Sequence, residues 1–82
     1  MKDDTLKTSE LGLAASLDLL GFKITIQQLD HNKAMFVFDS TEEIIQQMDR
    51  YWKHELRVDP QDFMQRIKTL KARIWDILRY NQ

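Results

Sequence analysis

The chain reads as an α+β domain built as a helix, an antiparallel β-hairpin and two further helices, and three observations predict it. Between Phe22 and Phe38 apolar residues alternate with their neighbours, the two-residue period of a strand with one face buried. From Ile44 to Leu56, and again from Phe63 to Ile77, they recur at three and four residues, the period of a helix. Gly21, the polar quartet 30–33, the acidic stretch after Ser40 and Asp59-Pro60 fall where one period gives way to the next.

Residues 1–7 are polar and read as a flexible N-terminal tail, leaving 8–82 as a single compact domain. Thr8 or Ser9 is placed to cap a first helix running to about Leu20, and Gly21 to end it. Leu13, Leu17 and Leu20 share one face of that helix, while Leu11, Ala15 and Leu19 lie nearly opposite. Being apolar almost all round, it must either lie between layers or present a second face to another copy. Gly12, Ala15 and Ser16 are small enough to admit another backbone closely.

Phe22, Ile24 and Ile26 point one way along the first strand, with Lys23, Thr25 and Gln27 the other. Asp30-His31-Asn32-Lys33 supplies a turn, and Ala34, Phe36 and Phe38 alternate with Met35 and Val37 along the second strand. Two strands so joined pair as an antiparallel hairpin. A lone hairpin is marginal in water, and the edge beside Phe36-Val37-Phe38, with Met35 and Val37 on the far face, asks for cover. A homodimer would provide it.

Ser40-Thr41-Glu42-Glu43 has the form of a capping box, with Ser40 as cap and Glu43 reaching back. The helix after it carries Ile44, Ile45, Met48, Tyr51, Trp52 and Leu56 at helical spacing. Arg57-Val58 breaks the chain. Asp59 can cap the last helix, with Pro60 at its first position, where a missing N–H costs nothing. That helix has an apolar seam of Phe63, Ile67, Leu70, Ile74 and Ile77. Beside the seam runs a row of Met64, Lys68, Lys71, Trp75 and Arg79, and on the other flank lie Arg66, Arg73 and Tyr80.

Composition narrows the function. Apolar residues at 43% and charged residues at 30% of 82 describe a soluble globular chain. Without cysteine there is no disulfide framework and no thiolate metal site, which suits a reducing cytoplasm. No apolar run approaches the roughly 20 residues that span a bilayer, and the N-terminus lacks the form of a signal peptide. A soluble cytoplasmic protein without a membrane partner is expected. His31 and His54 have no ligand spacing, Asp3-Asp4 and Glu42-Glu43 form no shielded acid–base pair, and the two glycines make no phosphate loop. The expectation is a non-enzymatic module with no cofactor.

The net charge of −1 is uneven: residues 1–60 hold 7 Lys/Arg against 11 Asp/Glu, and residues 61–82 hold 5 against 2. The basic end fits an anionic partner, or cations set at the negative end of a helix. Lys68, Lys71, Trp75 and Arg79, with Arg66 and Arg73 helping, form the candidate surface, the cations for phosphates and the ring for stacking. The same side chains would also serve as stems lying along the border of a core. Tyr51 and Trp52, beside Lys53 and His54, either stack on a ligand or sit at the core edge with their polar atoms in water. The readings left open are a nucleic-acid accessory protein, a protein-interaction module or small regulator, and a domain whose job is self-assembly. The near-zero net charge keeps the second close to the first.

The ordered pieces Thr8-Ser9-Glu10-Leu11, Leu13-Ala14-Ala15, Leu20-Gly21-Phe22, Phe36-Val37-Phe38, Tyr51-Trp52, Val58-Asp59-Pro60 and Leu70-Lys71-Ala72-Arg73-Ile74 span nearly the whole chain. Together they resemble a small family of prokaryotic and phage-associated proteins known only as a domain of unknown function. The resemblance implies a stand-alone domain in cytoplasmic prokaryotic or mobile-element proteins. It implies no activity and assigns no residue.

Overall fold

In the computed structural model, which describes residues 5–80, the order is β1 (Thr5–Thr8), α1 (Leu11–Leu19), β2 (Thr25–Asp30), β3 (Lys33–Asp39), α2 (Glu42–Trp52) and α3 (Pro60–Tyr80). The fold is α+β, as the periodicity indicates. The sheet has three antiparallel-paired strands in the order β1-β3-β2, so the hairpin is present and β3 is its centre.

Strand β1 corrects the expected tail at residues 5–7; residues 1–4 lie outside the described residues. Its register sets Leu6 opposite Phe38 and Thr8 opposite Phe36. Leu6 packs against the core and Thr8, on the same face, is half-buried, but with one apolar residue the strand is too short to show a hydrophobic period of its own. The edge of β3 that argued for a second copy is therefore occupied within the chain. Across the hairpin Ile26 faces Phe36 and Gln28 faces Ala34, while an irregularity between Gln28 and Asp30 leaves Leu29 unpaired and exposed. Strand β2 begins three residues after the alternation does, yet its phase is kept: Phe22, Ile24 and Ile26 are half-buried and Lys23, Thr25 and Gln27 exposed. Asp30 Oδ1 accepts the Asn32 N–H at 3.0 Å and closes the turn.

Helix α1 lies between layers. Leu13, Ala14, Ala15, Ser16 and Leu17 are all buried, and the helix packs on both α3 and α2. Neither Thr8 nor Ser9 caps it: Glu10 is the residue before the helix and makes no side-chain cap. Thr8 Oγ1 accepts the Glu10 N–H instead, because Thr8 is held in β1. At the other end Gly21 adopts φ 100°, with Phe22 N–H donating to Leu17 C=O and Gly21 N–H to Asp18 C=O, the paired bonds that close a helix over a left-handed residue.

The cap of α2 falls one residue later than the box pattern suggests. Thr41 Oγ1 accepts the Ile44 N–H at 3.2 Å, so the third helical position is Ile44, which the core needs fully buried, and no reciprocal side chain is available. The apolar residues of this helix that pack on the core are Ile44, Met48 and Tyr51. Ile45 and Trp52 stand about 80–100° round the helix from the fully buried Ile44, and these expected core positions are exposed. Helix α3 starts as expected: Asp59 Oδ2 accepts the Asp62 N–H at 2.9 Å, with Pro60 first in the helix. Its seam buries Leu70 outright and packs Phe63, Ile67 and Ile74 against Leu13, Leu17, Phe36, Phe38 and Ile44. None of the helices among the described residues is long and apolar enough to cross a membrane.

Candidate functional site

The 21 residues of α3 extend for about 31 Å and present three longitudinal faces. The seam faces the core. One flank meets α1, where Arg66 Nη1 donates to Asp18 Oδ2 at 2.8 Å; with Arg66 39% and Asp18 15% exposed, this part-buried pair staples the two helices. The opposite flank carries Met64, Lys68, Lys71, Trp75 and Arg79, and all five are exposed.

The structure thus brings together Lys68, Lys71, Trp75 and Arg79, which fall within about 80° of arc on a helix turning about 100° per residue. From Lys68 to Arg79 the row extends about 16 Å along the axis. Arg66 and Arg73 are not part of it. They lie on the other side of the seam, Arg66 committed to Asp18 and Arg73 exposed. Trp75, 63% exposed, is the most open large apolar side chain described, and Met64 on the same row is 55% exposed. Lys68 and Lys71 have no ion pair among the described residues, and Arg79 makes only a long contact to Asp76, 3.9 Å between two well-exposed side chains. A pair of that kind is worth little. The strip is therefore a convex surface offering three cations and an aromatic face.

Tyr51 belongs to a different place. Its hydroxyl donates to Glu10 Oε2 at 3.0 Å, and its ring lies over Gly12 of α1. Burial pushes the phenol above its usual 10.0, and the hydrogen bond and charge of the Glu10 carboxylate add to that rise. Trp52 meets the Tyr51 ring edge-on, with centroids 5.0 Å apart at 85°. Of the two readings of this aromatic pair, Tyr51 takes the core edge and Trp52 stands in solvent, 57% exposed.

Beside Tyr51 the structure opens a cleft that periodicity gave no sign of. Ser16, Tyr51, Trp52, His54, Leu56, Val58 and Phe63 line a volume of ≈ 430 Å³. It forms because α2 stops abruptly. His54 takes a left-handed conformation, φ 63°, while Glu55 N–H donates to Arg50 C=O and His54 N–H to Tyr51 C=O, turning the chain away toward α3. No cluster of three His, Cys, Asp or Glu side chains among the described residues is arranged to hold a metal ion.

The model of one family, Domain of unknown function (DUF5659), matches residues 3–76, and the chain belongs to that family. The match runs from the strand region through Trp75 and is the kind of family that the ordered sequence pieces resemble. No curated protein and no solved structure matches the chain.

Proposed function

We propose that this member of the family is a non-enzymatic binding module that takes single-stranded nucleic acid on the exposed strip of α3. The observation that carries the reading is Trp75, a ring 63% exposed between Lys71 and Arg79 on one line of the helix. An aromatic face accepts any unstacked base, and flanking cations accept the phosphates on either side of it. A convex helix face with no neighbouring groove favours a flexible strand, whose bases are free to reach the ring, over a closed duplex. The strip needs no second copy, since β1 already covers the edge of β3 that asked for one. Lys68, Lys71 and Arg79 neutralise phosphates, and Trp75 stacks.

The test is anisotropy of labelled single- and double-stranded oligonucleotides at two salt concentrations. Three phosphate contacts give a log–log salt slope of about −2 for a single strand. Trp75→Ala weakens binding about tenfold or more, the value of one stacked base. Arg73→Ala, on the opposite flank, leaves it unchanged. Salt-independent binding, or no binding at low salt, overturns the reading, as does sedimentation showing a dimer that buries Trp75.

A second reading, a protein partner on the same strip, is favoured by Met64, which adds an exposed apolar side chain about three turns before Trp75. A stoichiometric protein that co-purifies, and is lost in Met64→Ala as well as Trp75→Ala, would select it.

A further inference from the structure

We infer that the cleft between α1, the end of α2 and the start of α3 is a binding site for a small uncharged aromatic molecule that carries one hydrogen-bonding atom. The inference is independent of the α3 strip. Three features of the cleft define the ligand.

The first is Ser16. Among the described residues it is the one buried polar residue, 3% exposed, and it lines the cleft from α1. A serine inside a helix usually donates back to the carbonyl four residues earlier. Here the hydroxyl makes no hydrogen bond among the described residues. Yet no sealed side-chain oxygen or nitrogen among them lacks a partner, so this hydroxyl reaches solvent, and the cleft that Ser16 lines is its outlet. A hydroxyl held without a partner at the floor of an apolar cleft satisfies a ligand's polar atom at little cost.

The second feature is the lining. Tyr51, Trp52, Leu56, Val58 and Phe63 are aromatic or aliphatic, and the only ionisable side chains among the lining residues are His54 and Tyr51. The Tyr51 hydroxyl is already committed to Glu10. Neither an ammonium nor a carboxylate finds a fixed counter-charge there, so the part of the ligand that enters is uncharged. The third feature is size and shape. A volume of ≈ 430 Å³ suits a ring and its substituents, at the lower end of the range for small-molecule sites. Trp52, edge-on to Tyr51 and 57% exposed, gives that ring an aromatic wall. Its exposure at the mouth is otherwise a cost that the fold does not require.

The left-handed His54 supports the assignment. The turn that makes the cleft is held by a residue in a conformation that side chains other than glycine's rarely adopt, and His54 is the only described non-glycine residue that does so. Strain of this kind concentrates at ligand sites.

The experiment is an amide-resolved NMR titration of the full chain with phenol, toluene, benzoate and N-acetyltyrosine amide. Phenol is expected to move the Trp52 indole N–H and the amides of Ser16, His54 and Val58. Toluene should move the same signals with about fivefold weaker affinity, the value of one hydrogen bond, and benzoate less than phenol. Ser16→Ala, which removes a hydroxyl with no hydrogen-bond partner among the described residues and so leaves folding intact, should bring phenol down to the level of toluene while toluene is unaffected. Absence of shifts at these residues with every ring overturns the assignment. So does a phenol preference that survives Ser16→Ala. Tighter binding of N-acetyltyrosine amide than of phenol overturns it in favour of a peptide side chain.

Discussion

Replacing Gly12 by alanine should change sign in its effect on stability depending on one oxygen atom of Tyr51. A Cβ built on Gly12 would sit 2.7 Å from Tyr51 Oη but 3.7 Å from the ring carbon that bears it. The first distance is a collision and the second an ordinary contact. In the native background the Tyr51 ring must therefore swing away, losing the hydrogen bond to Glu10, about 1 kcal/mol, and disturbing its packing, about 1–2 kcal/mol. The helix gains about 0.5–1 kcal/mol from alanine over glycine, less than those losses, so Gly12→Ala should destabilise by roughly 1–2 kcal/mol. In a Tyr51→Phe background the colliding oxygen and its hydrogen bond are both gone. Only the helix term remains, and Gly12→Ala should stabilise by about 0.5–1 kcal/mol. Urea denaturation of the four proteins, read at constant m, measures the cycle. Equal effects of Gly12→Ala in the two backgrounds would refute the close approach of α2 to α1 that shapes this corner.

Tyr51 also carries a pH dependence. Its phenol titrates above 10.0 when folded and at about 10 when unfolded. The native state thus keeps a proton that the unfolded chain has begun to lose, and this contribution to stability, complete below pH 10, is lost as pH rises through the folded value. The slope of stability against pH above 10 should be shallower in Tyr51→Phe. The two helix ends closed by left-handed residues should respond oppositely to substitution. Gly21→Ala meets no atom within 4 Å, but its φ of 100° makes any side chain unfavourable, costing roughly 1–2 kcal/mol. His54→Gly relieves φ 63° and should raise stability by about 1 kcal/mol; thermal melts that show both changes with the same sign would count against the two turn assignments.

The elements that carry a long periodic run were legible in the sequence, the hairpin among them, and the short or non-local ones were not. Helix α3 was readable to its cap because Asp59, Pro60 and a seam of five residues all act within one segment. Gly21 was readable for the same reason, since a left-handed close is a local demand. Strand β1 was not, because its place depends on pairing with β3 some thirty residues away and Leu6 is its one apolar residue. The caps of α1 and α2 slipped because tertiary demands outweighed local chemistry: Thr8 is drawn into the sheet, and burying Ile44 fixes the phase of α2. Ile45 and Trp52 show the limit of spacing as a guide to burial. Period places them near the apolar stripe, but α2 is covered along a narrow line only.

The same distinction divides the candidate site. Azimuth on α3 is a property of one segment, so Lys68, Lys71, Trp75 and Arg79 could be aligned from the sequence, and the structure leaves all four exposed. Which flank of α3 a neighbour would take is a property of the whole fold, and Asp18, forty-eight residues before Arg66, decides it. By holding Arg66 against α1, that pair sets the α1 side of α3 apart from the cationic strip. With the seam buried by Leu70 and its neighbours, the flank bearing Trp75 is left exposed. The cleft over Ser16 arises in the same way, since its floor, walls and mouth come from α1, the end of α2 and the start of α3. Ser16 reads in sequence as a small packing residue of an apolar helix. Only the departure of the chain at His54 opens the cleft that Ser16 lines, the position on which the proposed ligand site rests.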